Sequence, residues 1–184
     1  MTTMELTKTS MHDLSAGTFV PMLRSLLQIF DKAIAQAAEK KIDLAALPEA
    51  RLAPDMYPLT RQVQIACDAA KSATARLMGV EPPRHEDNEK TVDDLKARIT
   101  KVIAYVESAP VKAFDGAAER TVLFPLIETL VFESNGFEYV RDWALPNFYF
   151  HVVTAYDILR HNGVDIGKRD YLHHAAGAHI HPGN

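Results

Sequence analysis

Between His12 and Glu39 apolar side chains return at steps of three and four: Phe19, Met22, Leu23, Leu26, Leu27, Phe30, Ile34, then Ala37 or Ala38. That spacing gathers them on one face of a long amphipathic helix, whose stripe must be buried against further elements. Pro21 falls inside the pattern. The period continues through it, which predicts one continuous helix locally distorted at the proline rather than a helix starting there.

The same period returns downstream. After a connector with Pro54 and Pro58, the run LTRQVQIACDAAKSATARLMG puts Val63, Ala66, Ala70, Ala73 and Leu77 on one face, and Gly79 suits a C-terminal cap. The small side chains of Ala66, Ala69, Ala70 and Ala73 leave room for another helix to approach closely. The prolines and charges of VEPPRHEDNEK mark a loop. Thr91 with Asp94 three positions on is an N-cap with an acidic first turn. A third helix from Val92 to Glu107 then buries Leu95, Ile99, Val102, Ile103 and Val106. Past it, TVLF and TLVFESNGFEYV have strand composition, with Asn135-Gly136 as the expected tight turn of a short hairpin. A last helix with Phe148, Val152, Ala155, Tyr156 and Leu159 inward ends at Asn162-Gly163 in a left-handed cap. The expected fold is mainly α, a four-helix bundle with a short β-hairpin inserted before the last long helix. One domain is expected over residues 1–172, followed by a His-rich, flexible tail over 173–184.

Composition excludes some function classes. A net charge of −4 without any basic stripe argues against a nucleic-acid surface, which needs clustered Lys and Arg to displace counterions. No apolar stretch approaches the ~20 residues that cross a bilayer. The single cysteine, Cys67, and an N-terminus without a basic start and apolar run predict a cytoplasmic protein. The chain lacks a glycine-rich phosphate loop, a Gly-x-Ser-x-Gly elbow, CxxC and HExxH, so neither a nucleotide-loop enzyme nor a strong metal signature is written here.

The candidate site centres on His151, at the edge of the inward face of the last helix. A helix-borne metal site wants a second ligand one turn on, yet i+3 is Thr154 and i+4 is Ala155. His151 therefore reads as a hydrogen-bonded structural histidine before it reads as a ligand. Gln62, Gln64, Asp68 and Tyr156 are the side chains that would join it in a cavity cluster orienting a polar ligand. The plainer reading leaves Asp68 and Lys71 as solvated surface residues. Cys67 has no basic neighbour to activate it and reads as a small buried residue. The tail histidines His173, His174, His179 and His181 have no second shell that would make them a site. Trp143, Tyr149 and Tyr156 read as core aromatics.

Two stretches carry a resemblance. PNFYFH at 146–151 with TAYDILRHNGVDIGKRDYL, and RLAPDMYPL at 51–59 with RQVQIACDAAK, together resemble the bacterial DUF1993 family, grouped with the DinB/YfiT-like four-helix bundles. The resemblance covers the chain from the first helix to Leu172 and implies a four-helix bundle, often dimeric. Better-known members of the superfamily hold a divalent metal on one histidine of the second helix and a His-x-x-x-His pair of the last; some are thiol-dependent transferases or isomerases. Here His151 matches the first histidine of the pair, Ala155 stands at its partner's position, and Ala66 or Cys67 falls where the helix-two ligand is expected. The expectation is a homodimeric bundle that has lost most of the metal triad and binds a small molecule or a partner. The alternative is an enzyme, with Zn or Ni or without metal, built on the polar cluster around His151.

Overall fold

The computed structural model describes residues 10–175. Its frame is four long helices: α1 (Met11–Lys40), α2 (Leu59–Met78), α3 (Val92–Glu107) and, after a hairpin and two short helical turns, α5 (Leu145–His161). α2 packs against α5 on one side and α3 on the other, and α1 lies along α3. No helix among the described residues is long and apolar enough to cross a membrane.

Local chemistry explains the boundaries. α1 opens with a capping box in which Ser10 accepts from the Asp13 N–H and the Asp13 carboxylate accepts from the Ser10 N–H. It runs through Pro21 unbroken, as the period predicts. α2 ends at Gly79, whose φ of 74° lets the Gly79 and Val80 N–H groups fold back onto Ala75 and Arg76 carbonyls. α3 opens with the second capping box, Thr91 with Asp94. Gly163, with φ of 94°, ends α5. The stripes expected on α2 and α3 are buried throughout, and α2, with Ala66, Ala70 and Ala73 fully buried, is the helix that packs against α5. On α5, Phe148, Val152, Ala155 and Leu159 are buried, whereas Tyr156 is only half-buried.

The hairpin lies before the last long helix as expected, but it turns elsewhere. β1 (Thr121–Ile127) pairs antiparallel with β2 (Leu130–Asn135), so the reversal falls at Glu128-Thr129. Asn135-Gly136 instead starts a helix. Asn135 Oδ1 accepts from the Glu138 N–H at 2.9 Å, capping α4 (Gly136–Glu138). Glycine is required at 136 for space rather than for an unusual backbone angle: a Cβ there would lie 1.9 Å from the Ala117 carbonyl oxygen. Residues 136–140, expected in the second strand, are therefore helical, and the last helix begins earlier than Phe148.

α4 passes into α5 through a π-helical stretch, Tyr139–Ala144, in which the Leu145 N–H reaches back to the Val140 carbonyl. The wider turn lies just ahead of Pro146, whose ring presses on the carbonyl four residues back in a regular helix. Tyr139 and Trp143 project from this stretch against the inner face of the hairpin, where Phe124 and Phe132 stack with centroids 5.1 Å apart. Arg76 of α2 closes the cluster, its guanidinium 3.8 Å from the Phe124 ring centroid and donating to the Tyr139 hydroxyl at 3.0 Å. After α5, α6 (Lys168–Tyr171) is tied to α1 by an ion pair between Lys32 and Asp170. The first residues of the tail form a short helical turn, His173–Ala175, with His174 hydrogen-bonded to Ser25 of α1. His179 and His181 lie outside the described residues.

Candidate functional site

α5 and α2 bring His151 and Gln62 together. His151 Nδ1 and Gln62 Oε1 are 2.7 Å apart in a buried contact. The amide orientation follows from its other bond: Gln62 Nε2 donates to the Tyr57 carbonyl at 3.0 Å, which leaves Oε1 facing the ring. An amide oxygen only accepts, so Nδ1 carries the proton and Nε2 keeps its lone pair. Burial, reinforced by the nearby positive charge of Arg61, lowers the imidazole's pKa from 6.5 to about 4. At neutral pH His151 is thus an uncharged ring offering an acceptor nitrogen, with the exposed Phe150 ring edge-on beside it at 5.2 Å.

The donor set does not suit a transition metal. Ala155, one turn on, is fully buried and offers no ligand atom, and the Thr154 hydroxyl is spent on the Phe150 carbonyl at 2.7 Å. The helix-two side chain that meets His151 is Gln62, one turn earlier than Ala66, and its amide is committed to His151 and Tyr57. Among the described residues no three His, Cys, Asp or Glu side chains converge in a way that would hold an ion. One imidazole and one amide fall short of the three protein ligands that Zn or Ni sites usually need.

The other expected members lie apart from this pair. Gln64 and Asp68 belong to a polar network around Arg98 of α3, a buried guanidinium that sequence reasoning missed. Its Nη1 donates to Glu89 Oε1 and the Glu86 carbonyl, both at 2.9 Å; its Nη2 meets Asp68 at 3.1 Å and Asp87 at 2.9 Å. Gln64 Nε2 donates to the other Glu89 oxygen at 2.8 Å, and Arg61 links Gln64 to Asp87. Burial alone would raise the Glu89 carboxyl, but hydrogen bonds from Arg98 and Gln64 carry it below its ordinary value. Lys71, which reads as solvated, is buried and paired with Asp68 at 2.9 Å. The network fastens the loop between α2 and α3 onto both helices. Its sequence signal was the acidic run HEDNE opposite a lone arginine beside the apolar stripe of α3.

Tyr156 lies elsewhere again, its hydroxyl donating to the Ile166 carbonyl at 3.5 Å and its ring edge-on to Tyr171. Cys67 is fully buried, and burial pushes its thiol up to about 12, so it is an inert core residue rather than a nucleophile.

The bundle with its inserted hairpin, and a histidine of the last helix facing the second, define a DinB-like protein. A crystal structure of a DinB family member from Shewanella denitrificans is similar at 43% identity and a TM-score of 0.82, over 94% of this chain and 95% of that one. The chain belongs to the DUF1993 family, described as a domain of unknown function, which it matches over residues 11–172. Among curated proteins none matches.

Proposed function

We propose that this chain is a cytoplasmic DinB-like bundle protein that works without the superfamily's metal centre, binding a small polar molecule through His151 and Gln62. The observation that supports the reading is the Tyr57–Gln62–His151 relay of hydrogen bonds, which fixes the imidazole and leaves one acceptor nitrogen for a hydroxyl or amide donor. Gln64, Asp68 and Tyr156 support the surrounding structure in this reading rather than touch the ligand. The enzyme alternative draws on the same ring. As a general base, an imidazole with a pKa of about 4 is weak at neutral pH, which favours binding over proton transfer.

Metal content of the purified full chain, with the four tail histidines His173, His174, His179 and His181 changed to alanine, tests this. Sub-stoichiometric Zn and Ni, with a melting temperature unmoved by chelator, is expected. Stoichiometric metal that disappears in His151→Ala overturns the reading. A thermal-shift screen of small hydroxylated and amide compounds then seeks the ligand, since binding to the folded state alone raises the melting temperature.

The same reading includes a homodimer, with the hairpin as its contact. The outer face and tip of β1 and β2 carry Leu123, Ile127, Leu130 and Val131, each more than half exposed. With Leu126 they present roughly 500 Å² of apolar surface, at the upper end of what a monomer ordinarily shows. Two copies face to face reach the ~1,000 Å² that a specific interface requires, and each strand has a free edge for pairing. Sedimentation velocity at micromolar concentration is expected to give a dimer that Leu123→Glu with Val131→Glu dissociates; a monomer in the unmodified chain defeats this part.

A further inference from the structure

The loop that Arg98 fastens down also forms one wall of a cleft, of about 400 Å³, against α3. That volume lies within the range of small-molecule sites. Arg84 and His85 come from the loop, Arg98 and Lys101 from α3. We propose that this cleft binds a small oxyanion, a phosphate or carboxylate group, held between Arg84, His85 and Lys101 over the guanidinium of Arg98.

Four observations point the same way. Arg98 Nε and His85 Nδ1 are both buried polar atoms without a hydrogen-bond partner among the described residues, although Arg98 as a whole is only 4% exposed. A buried N–H without an acceptor is costly, so the Arg98 Nε–H marks a place for one; His85 Nδ1 joins it in the tautomer, or in the protonated ring, that puts a hydrogen there. Arg84 and Lys101 form no ion pair among the described residues, unlike Arg98 between them.

The acids that share the lining are already engaged. Glu89 is taken up by Arg98 and Gln64. Asp94 accepts from the backbone N–H groups of Lys90 at 3.0 Å and Thr91 at 2.9 Å, in its capping box. Glu86 is the one lining carboxylate without such a partner, and it sits exposed at the rim. The lining is formally balanced, Arg84, Arg98 and Lys101 against Glu86, Glu89 and Asp94. Its cations and carboxylates differ in engagement: Glu89 and Asp94 have their oxygens occupied, whereas Arg84 and Lys101 have no ion pair among the described residues.

The imidazole of His85 registers that balance. Burial lowers its pKa, and the charges of Lys71, Lys101 and Arg98 lower it further, with Asp68 alone acting the other way. An anion seated in the cleft offsets this field, accepts from the Arg98 Nε–H, and draws a proton onto His85, whose ring then donates from both nitrogens. Proton uptake by His85 and anion binding are therefore coupled, each favouring the other.

The test uses the full chain with inorganic phosphate and, separately, acetate, at ionic strength held constant with sodium chloride. Side-chain NMR of His85 is expected to shift saturably with one or both probes, and its titration midpoint to rise. Saturation by phosphate but not acetate assigns the site to phosphate groups, and the converse assigns it to carboxylates. Arg84→Gln and Lys101→Gln, both at exposed positions, should each weaken binding at least tenfold without changing the anion-free melting temperature. Glu86→Gln should strengthen it. No saturable change at His85 with either probe overturns the proposal, as does a shift that survives in the Arg84→Gln, Lys101→Gln double variant or a Glu86→Gln variant that binds more weakly.

Discussion

Acidification should expose the cost of keeping His151 neutral. In the unfolded chain the ring takes up a proton near pH 6.5, whereas in the fold it does so near 4. Between these values the unfolded state binds more protons, so stability falls as pH falls. The contribution is fully present above pH 6.5 and is lost progressively toward pH 4. It amounts to about 2 kcal/mol at pH 5 and about 3 kcal/mol at pH 4, at roughly 1.4 kcal/mol per pH unit. His151→Gln isolates the effect, because glutamine can still donate to Gln62 Oε1 and does not titrate. Urea unfolding of both proteins at pH 7, 6, 5 and 4 supplies the comparison, other carboxylates cancelling in the difference. The stability difference should move in the variant's favour by about 3 kcal/mol from pH 7 to pH 4. A difference constant to within about 0.5 kcal/mol over that range would refute the reasoning, as would direct observation of His151 titrating near its ordinary value.

Three further outcomes follow from packing and charge. Arg98→Met leaves Asp68, Asp87 and the buried Glu89 without their shared cation, and should cost about 3–5 kcal/mol in denaturant unfolding; a loss below about 1 kcal/mol would show that the network is replaceable. Gly136→Ala forces a methyl against the Ala117 carbonyl oxygen and should destabilise by at least about 1–3 kcal/mol, with an unchanged melting temperature as the contrary result. Cys67, buried and protonated, should resist a thiol-modifying reagent in the native protein and react at once in denaturant; prompt native labelling would contradict its burial.

Where local rules act alone, the sequence was a sufficient guide. α3 could be read to its ends because Thr91 and Asp94 complete a capping box within four residues and the stripe from Leu95 to Val106 keeps one phase. The hairpin strands were visible for the same reason, through their composition. Asn135-Gly136 misled because the same pair serves as a hairpin turn or as a helix start. The glycine is required by the Ala117 carbonyl packed against it, and the asparagine by its cap on the Glu138 N–H, neither of which a turn signal reveals. The site divided along similar lines. Gln62 and Gln64 are two residues apart and face away from each other on a helix, so a cluster holding both required the helix to present two faces at once. Arg98 could not be found by period, since its partners come from a loop whose path no propensity specifies.

The π-helical stretch at Tyr139–Ala144 bears on how such a chain tolerates change in length. A π turn holds one more residue than the α turn it replaces, so it behaves as a single-residue insertion absorbed without breaking the helix. Removing one exposed residue there, Arg141 or Asp142, would restore a regular helix from Gly136 to His161. The turns on either side would then keep close to their present phase, because the wide turn had taken up the extra residue locally. Tyr139 would stay against Arg76 and Phe124, and His151 against Gln62, in a helix one residue shorter. The stretch between hairpin and bundle is thus where this chain can gain or lose a residue at least cost to the packing before and after it.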